Sequence, residues 1–390
     1  MTALYDKYLN KDHLLSIANK YNRNPTILEK YVMNFKIHYM MGKKFDNMIT
    51  RGGMAIQFYQ NDGISRLSDD IDIIVDTTID ATEQIMSEFI ESSNYIITPY
   101  IPKPGNRSPA PILTYHVKYP SVLEKKDEFI KIDFLCDSHM PTQFTKIYDT
   151  SPINYFKLLH PVTVLDKGAL VADKLSSLAM NTIGYGAKPS PIYDVYDMPH
   201  QDKMPKQIYD TSSILKHPDS MILKQALDTF KSMTRQKCRY YSTNKTITIM
   251  DVSKDICESL YRLIDLKSKY QLTKNANNTF NVFRNSYLGK DDYTLDIFSL
   301  DLLLLLIFTC RLYLYITDKL SLKELLDTYL LDVQRFYSYS NMERSQRIEE
   351  NNQLFEEFSS IEYDILKKIK GLENNKKFLI MRVLSLHDLL

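Results

Sequence analysis

RGGMAIQFYQNDGISRLSDDIDIIVD, residues 51–76, decides how this chain is read. Within it Asp70 and Asp72 stand two apart in an isoleucine-rich run. Alternation along a strand sends both carboxylates to one face and Ile71, Ile73 and Val75 to the other. One face is then wet and acidic, and the other is core. Like charges held so close repel, and a divalent cation is the simplest way to neutralise them. Gly52 and Gly53 come just before a segment of helical character, Met54 to Tyr59, where missing side chains let phosphate oxygens reach backbone N–H groups. Arg66 and Ser68 fall where they could contact the same phosphates. The bland alternative is an edge strand with solvated aspartates after an ordinary glycine turn. The longer pattern favours a site for metal and phosphate together.

Upstream, apolar residues recur at helical spacing from Asp12 to Phe45, with Asn24 and Pro25 placed to open the second of two helices. Downstream, the pattern predicts a helix over Ala81–Ser92, a strand over Tyr95–Tyr100, a proline-rich loop over Ile101–Pro111, and strands over Ile112–Tyr119 and Glu128–Leu135. The last of these sets Ile130, Ile132 and Phe134 against Lys131 and Asp133, which makes Asp133 a third carboxylate on a strand. A helix is predicted from Asp166 to about Ile183. On it Lys174 shares a stripe with Leu170 and Leu178, an odd place for a lysine that only packs. A snorkelling lysine with a wet head is the competing reading. After the loop TIGYGAKPSP, YDVYDM sets Asp194 and Asp197 three apart on one helix face. Beyond Pro205 the periodicity is almost wholly helical, with Thr246–Met250 as the one clear strand candidate and Thr273–Asn278 and Ser338–Asn352 as connectors. The expected architecture is α+β, with a mixed-sheet domain and helical lead-in over residues 1–204 and a helical bundle over 205–390.

Lysine and arginine number 49 against 48 aspartate and glutamate, so any nucleic-acid contact must come from a local patch. Lys231, Arg235, Lys237 and Arg239 beside Tyr240 and Tyr241 form one such stretch, for which a solvated helix face is the plainer reading. Cys136, Cys238, Cys257 and Cys310 lack metal-ligand spacing, which argues against zinc and fits reduced thiols. The segment MTALYDKYLNKDHLLSI has no basic region followed by an apolar core, so a cytoplasmic location is expected. The apolar stretch Leu302–Cys310 lies between Asp301 and Arg311 and is too short to span a bilayer, so a buried helix and no membrane partner are expected.

These motifs, in this order, resemble the AbiEii/AbiGii toxin family, a branch of the polymerase-β-like nucleotidyltransferases that includes the MenT toxins. RGGMAIQFY with RLSDDIDIIVD is similar to the family's KGGTAL-like motif followed by RxSxDxD, with Arg51 and Met54 replacing lysine and threonine. VLDKGALVADKLSSLAM resembles the family's LxxxKLxAL helix, which puts the phosphate-contacting lysine at Lys174. YDVYDM resembles RDxxDL, with Tyr193 replacing arginine and the functional acid at Asp194. The resemblance runs from about Asn24 to Met198.

It implies a nucleotidyltransferase domain that moves a nucleoside monophosphate from an NTP to a hydroxyl and releases pyrophosphate. Asp70 and Asp72 would hold two Mg²⁺ ions, and Asp133 would complete the acceptor-side ion and take the proton. Gly52, Gly53, Arg66 and Ser68 would surround the triphosphate, and Lys174 would neutralise the leaving phosphates. Asp194 would orient Lys174 or polarise the base-binding side, and Asp197 would cap or pair. Modification of Ser68 would interfere with metal binding. The resemblance also points to RNA, especially the tRNA 3′ end, as acceptor, and to a cognate antitoxin as partner. A small-molecule or protein acceptor is the second expectation. A nucleotide-binding interaction module without turnover is the third.

Overall fold

The computed structural model describes residues 3–59, 66–102, 108–137, 145–152, 157–184, 203–242, 246–265, 271–288, 293–341, 356–358 and 372–389. Three helices lead in: α1 (Ala3–Tyr8), α2 (Lys11–Lys20) and α3 (Pro25–Met41). Asn10 and Asn24 each accept two backbone N–H bonds at the starts of α2 and α3, and Pro25 opens α3 where a missing N–H costs nothing. Helix α3 is buried over most of its length.

The sheet follows as β1 (Met48–Arg51), β2 (Asp70–Val75), β3 (Ile96–Pro99), β4 (Ile112–Pro120), β5 (Asp127–Cys136), β6 (Thr145–Tyr148) and β7 (Val162–Leu165). Helix α4 (Gly52–Ile56) follows β1, and α5 (Ile79–Ser92) follows β2. Spatial order is β3-β4-β5-β2-β1-β7-β6, with parallel pairings of β2 to β5 and β1 to β7 and the others antiparallel. The expected α+β, mixed-sheet class is therefore the observed one. Strands β1, β6 and β7, four residues each, lie outside the expected strands, whereas β3, equally short, falls within the expected Tyr95–Tyr100.

One sheet face packs Ile71, Ile73, Val75, Ile132 and Phe134 into a core shared with α2, α3 and α5. The other face contributes Ile74, Leu135 and Val164 to a second core that continues into the helices. Those helices are α6 (Lys167–Ser177), α7 (Met204–Leu215), α8 (Ser220–Tyr241), α9 (Ile249–Tyr261), α10 (Lys274–Tyr287), α11 (Leu295–Ile316), α12 (Leu322–Asn341) and α13 (Asn374–His387). Because α6 packs on α7 and α8, residues on both sides of position 205 share this core.

Two local expectations are corrected. Thr246–Met250 is not a strand: Thr248 accepts from Asp251 N while Asp251 accepts in return, and this capping box starts α9. Thr273–Asn278 is not a connector, since the Thr273 side chain caps α10. Of Ser338–Asn352, Ser338 to Asn341 finish α12 and the rest lies outside the described residues. Helix α11 is long and apolar enough to cross a membrane by length and composition, but it is mostly buried against α7, α9, α12 and α13. Two of its charges are paired, Asp301 with part-exposed Lys216 at 2.7 Å and Arg311 with buried Asp332.

Beneath β1, the ring nitrogens of His38 reach His160 Nε2 at 3.0 Å and Thr50 Oγ1 at 2.9 Å. Burial, reinforced by His160, pushes His38 down to about 3. The unfolded chain therefore binds a proton that the folded one refuses. His38 is carried at no cost above about pH 6.5, and stability is lost as pH falls from there toward 3, at up to about 1.4 kcal/mol per pH unit. Thermal melts from pH 7 to pH 5 should show this acid slope, and His38→Gln should flatten it. An unchanged slope in the variant would assign the acid sensitivity to other groups.

Candidate active site

Strand β2 is central to the site. Its register pairs Asp72 with Arg51 of β1 on one side and with Asp133 of β5 on the other. Burial alternates along Asp70–Ile73, with the aspartates part-exposed and Ile71 and Ile73 buried. Asp70, Asp72 and Asp133 thus share one sheet face. Asn34, buried on α3, steadies the approach to β2 by donating to Ser68 O at 3.0 Å and Asp70 O at 3.3 Å.

The two glycines are required by close approach. Gly52 has φ +64°, and a Cβ there would lie 1.9 Å from Asp72 Oδ2. A Cβ on Gly53 would lie 2.4 Å from Ser68 Oγ and 2.7 Å from Arg66 Nη2. Gly52→Ala should cost about 1–2 kcal/mol in backbone conformation alone and, by displacing Asp72, weaken NTP binding by more than about tenfold. Titration calorimetry measures this, and an unaltered affinity would mean that the glycine backbone does not touch the nucleotide.

Electrostatics separate the carboxylates. Burial and then Asp70 push Asp72 up to about 6, against the pull of Arg51. Asp70 is also penalised by burial, but Lys206, the Ser68 hydroxyl at 2.8 Å and Arg66 hold it well below the usual range. Asp133 accepts from Thr114 Oγ1 at 2.6 Å and is paired with Lys131. Among the described residues, no three His, Cys, Asp or Glu side chains close on a single point. Asp70 is turned to Ser68 and Asp133 to Thr114 and Lys131. The donor set nevertheless suits a hard divalent cation: all its ligand atoms are carboxylate oxygens, and the cost of ionising Asp72 between Asp70 and Asp133 is relieved by positive charge.

On the side of the sheet covered by α6 to α8, Asp210 of α7 is fully buried and collects two cations. Arg66 meets it with two parallel bonds, Nε at 2.7 Å and Nη2 at 2.8 Å, and Lys174 Nζ lies 2.8 Å from Oδ2. Arg66 is itself fully buried and directs its guanidinium to Asp210 and to Leu67 O. Ser68 is buried as well, with its hydroxyl on Asp70. Lys174 is 4% exposed, so it is not a snorkelling side chain.

Several residues here escaped sequence reasoning. Lys206 of α7 lies 3.5 Å from Asp69 and 3.8 Å from Asp70, and Tyr287 of α10 donates to Asp69 at 3.0 Å. Asp173 takes Arg51 at 3.3 Å and Lys237 at 3.1 Å. It is penalised by burial but brought down to about 2 by Arg51, Lys237 and Lys174. Of the basic stretch on α8, Lys237 is thus turned inward, and Lys231 donates to Tyr315 at 2.8 Å. Arg235 and Arg239 are exposed.

Asp194 and Asp197 lie outside the described residues. The acid that holds Lys174 is Asp210, and a sequence signal for it existed. KQIYDT, residues 206–211, repeats the RDxxDL spacing with Lys206 as the basic residue and Asp210 as the second acid. Gln207 in place of the first acid hid the match.

None of the curated proteins compared matches the chain. Among solved structures, an H. pylori protein provisionally assigned as a nucleotidyltransferase is 13% identical, with 70% of this chain and 92% of that chain covered and a TM-score of 0.36. JHP933 from Helicobacter pylori is 12% identical, with 75% and 95% covered and a TM-score of 0.37. The family model described as nucleotidyl transferase AbiEii toxin, type IV TA system, matches residues 40–286, a span that includes Asp70, Asp72, Asp133, Lys174 and Asp210. With more than half of its length matched, this chain belongs to the AbiEii nucleotidyltransferase toxin family.

Proposed function

We propose that the protein transfers a nucleoside monophosphate from an NTP to an RNA hydroxyl, at the 3′ end of tRNA, as the cytoplasmic toxin of a type IV toxin–antitoxin pair. A cognate antitoxin is its partner. The observation that carries this reading is the register of β2 against β5, which sets Asp133 beside Asp72 and on the face of Asp70, next to the Gly52 backbone.

Asp70, Asp72 and Asp133 would hold Mg²⁺, which supplies Lewis-acid stabilisation of the phosphates and of the attacking oxygen. The chain's own groups do the rest. Backbone N–H groups at Gly52 and Gly53 receive phosphate oxygens, an approach that the absence of Cβ atoms permits. The acceptor oxygen bonds to the α-phosphorus while the bond to the β-phosphate oxygen breaks, and Asp133 accepts the hydroxyl proton. Lys174, held by Asp210, supplies positive charge to the departing pyrophosphate. Arg66 acts through Asp210, as a positioning group.

Incubation with labelled NTPs, Mg²⁺ and total tRNA tests the reading. Label should enter RNA with wild type and not with Asp70→Ala. Label that enters small molecules or protein in RNase-treated lysate would replace the RNA acceptor. Metal-dependent NTP binding without product on any acceptor would favour a non-catalytic module.

A further inference from the structure

Among the described residues, the catalytic sheet face outward from Asp133 is part-exposed. Strand β5 carries Asp133, Lys131 and Phe129 on that face, and the neighbouring β4 carries Thr114, His116 and Lys118 in register with them. Tyr100, just beyond β3, stacks on His116 with ring centroids 5.0 Å apart and 29° between planes. Phe129 and His116 rings are 6.3 Å apart. The opposite face of the same strands is sealed, with Val117, Tyr119, Ile130, Ile132 and Phe134 in the core. Yet Phe129 is 51% exposed and Tyr100 46%. Leaving two large rings half in water forfeits part of the burial that rings of this size ordinarily gain.

We infer that this outer sheet face is the platform for the acceptor: unpaired bases of an RNA end stack on Tyr100, His116 and Phe129, and Lys118 and Lys131 receive the adjoining phosphates. The inference rests on the proposed RNA acceptor and adds where that acceptor lies. Rings spread over adjacent strands of one part-exposed face match the sequence-tolerant way in which sheets hold single strands, since every base has a π-face. The charges are complementary. Lys118 and Lys131 flank the aromatic row, and their present partners, Asp127 at 2.8 Å and Asp133, are reached through part-exposed side chains. Solvent-exposed pairs of this kind add little to stability, so phosphates can replace the carboxylates at little cost. Distance also fits. Phe129 is four residues from Asp133 along β5, about 13 Å at strand rise, which is within the reach of a short unpaired end whose hydroxyl enters at Asp133. A duplex would offer its bases only at the ends, so the platform selects unpaired termini.

Fluorescence anisotropy with a short labelled single-stranded oligoribonucleotide, and with its duplex, tests this on the whole 390-residue chain. Single strand should bind better than duplex. Phe129→Ala and Tyr100→Ala should each weaken single-strand binding by about 5- to 100-fold, and Phe129→Tyr should restore it. In the transfer assay the same alanine variants should raise KM for RNA while KM for NTP, calorimetric NTP binding and Tm stay at wild-type values. Wild-type labelling of RNA with unchanged RNA binding in both alanine variants would overturn the platform and leave the RNA reading intact. Wild type that labels only small molecules would overturn that reading and the platform with it. Label transfer to a protein that depends on Phe129 would show that the face docks polypeptide, and would likewise overturn the proposal.

Discussion

Asp72→Asn should lower nucleotide transfer by at least about a thousandfold, equivalent to about 4 kcal/mol of lost transition-state stabilisation, because it removes a charged ligand from between Asp70 and Asp133. The same change should make the metal-free protein more stable at neutral pH. Burial and Asp70 lift the Asp72 carboxyl to about 6, so the folded chain holds that proton more tightly than the unfolded one. The penalty is absent below the ordinary carboxylate range and fully present above about pH 6, where the neutral amide of the variant escapes it. A gain on the order of 1–2 kcal/mol is expected, after allowance for the solvent that reaches this part-exposed group. Thermal melts in EDTA and a labelled-NTP assay on the same preparations give both numbers. Lower stability together with lost transfer would reduce Asp72 to a folding residue, whereas opposite movement is the signature of a group kept for function at a cost in stability.

Asp210→Ala should be the most damaging single substitution at the site. It strands Arg66 and Lys174, both nearly inaccessible to water, without their shared counter-ion. Breaking a buried pair from one side costs about 3–5 kcal/mol, because the remaining charge is left uncompensated. For a chain of this length that corresponds to a Tm lower by roughly 5 °C, together with loss of transfer as Lys174 is released. Lys174→Met separates the two effects. It leaves the bidentate Arg66–Asp210 pair in place, so it should abolish transfer with a much smaller fall in Tm. Equal destabilisation by both substitutions would mean that Lys174 serves the fold alone.

The sequence alone was enough to place the strand face. A strand alternates strictly, so Asp70 and Asp72 had to share a side opposite Ile71 and Ile73, and the run through Asp133 carried the same alternation. The lead-in helices were equally readable, because Asn24–Pro25 and the apolar period are local signals. Reading failed where local chemistry was ambiguous. TITIM at 246–250 has β-branched residues, but the side-chain bonds of Thr248 and Asp251 made it a helix start. Strand β1 has only four residues and is recognisable by its partners rather than by its pattern.

What local sequence determined, then, is the strand faces that carry Asp70, Asp72 and Asp133 and the small-residue approach at Gly52 and Gly53, because each follows from backbone period and side-chain size within a few residues; the pairing that sets Asp133 beside Asp72 is long-range. What only tertiary structure decided is which distant charges complete the site. Asp210 lies 144 residues from Arg66, and Tyr287 lies 218 from Asp69. Such pairs arise when the helices close over the sheet and buried charges must find partners, a requirement that acts through space between residues far apart in the sequence.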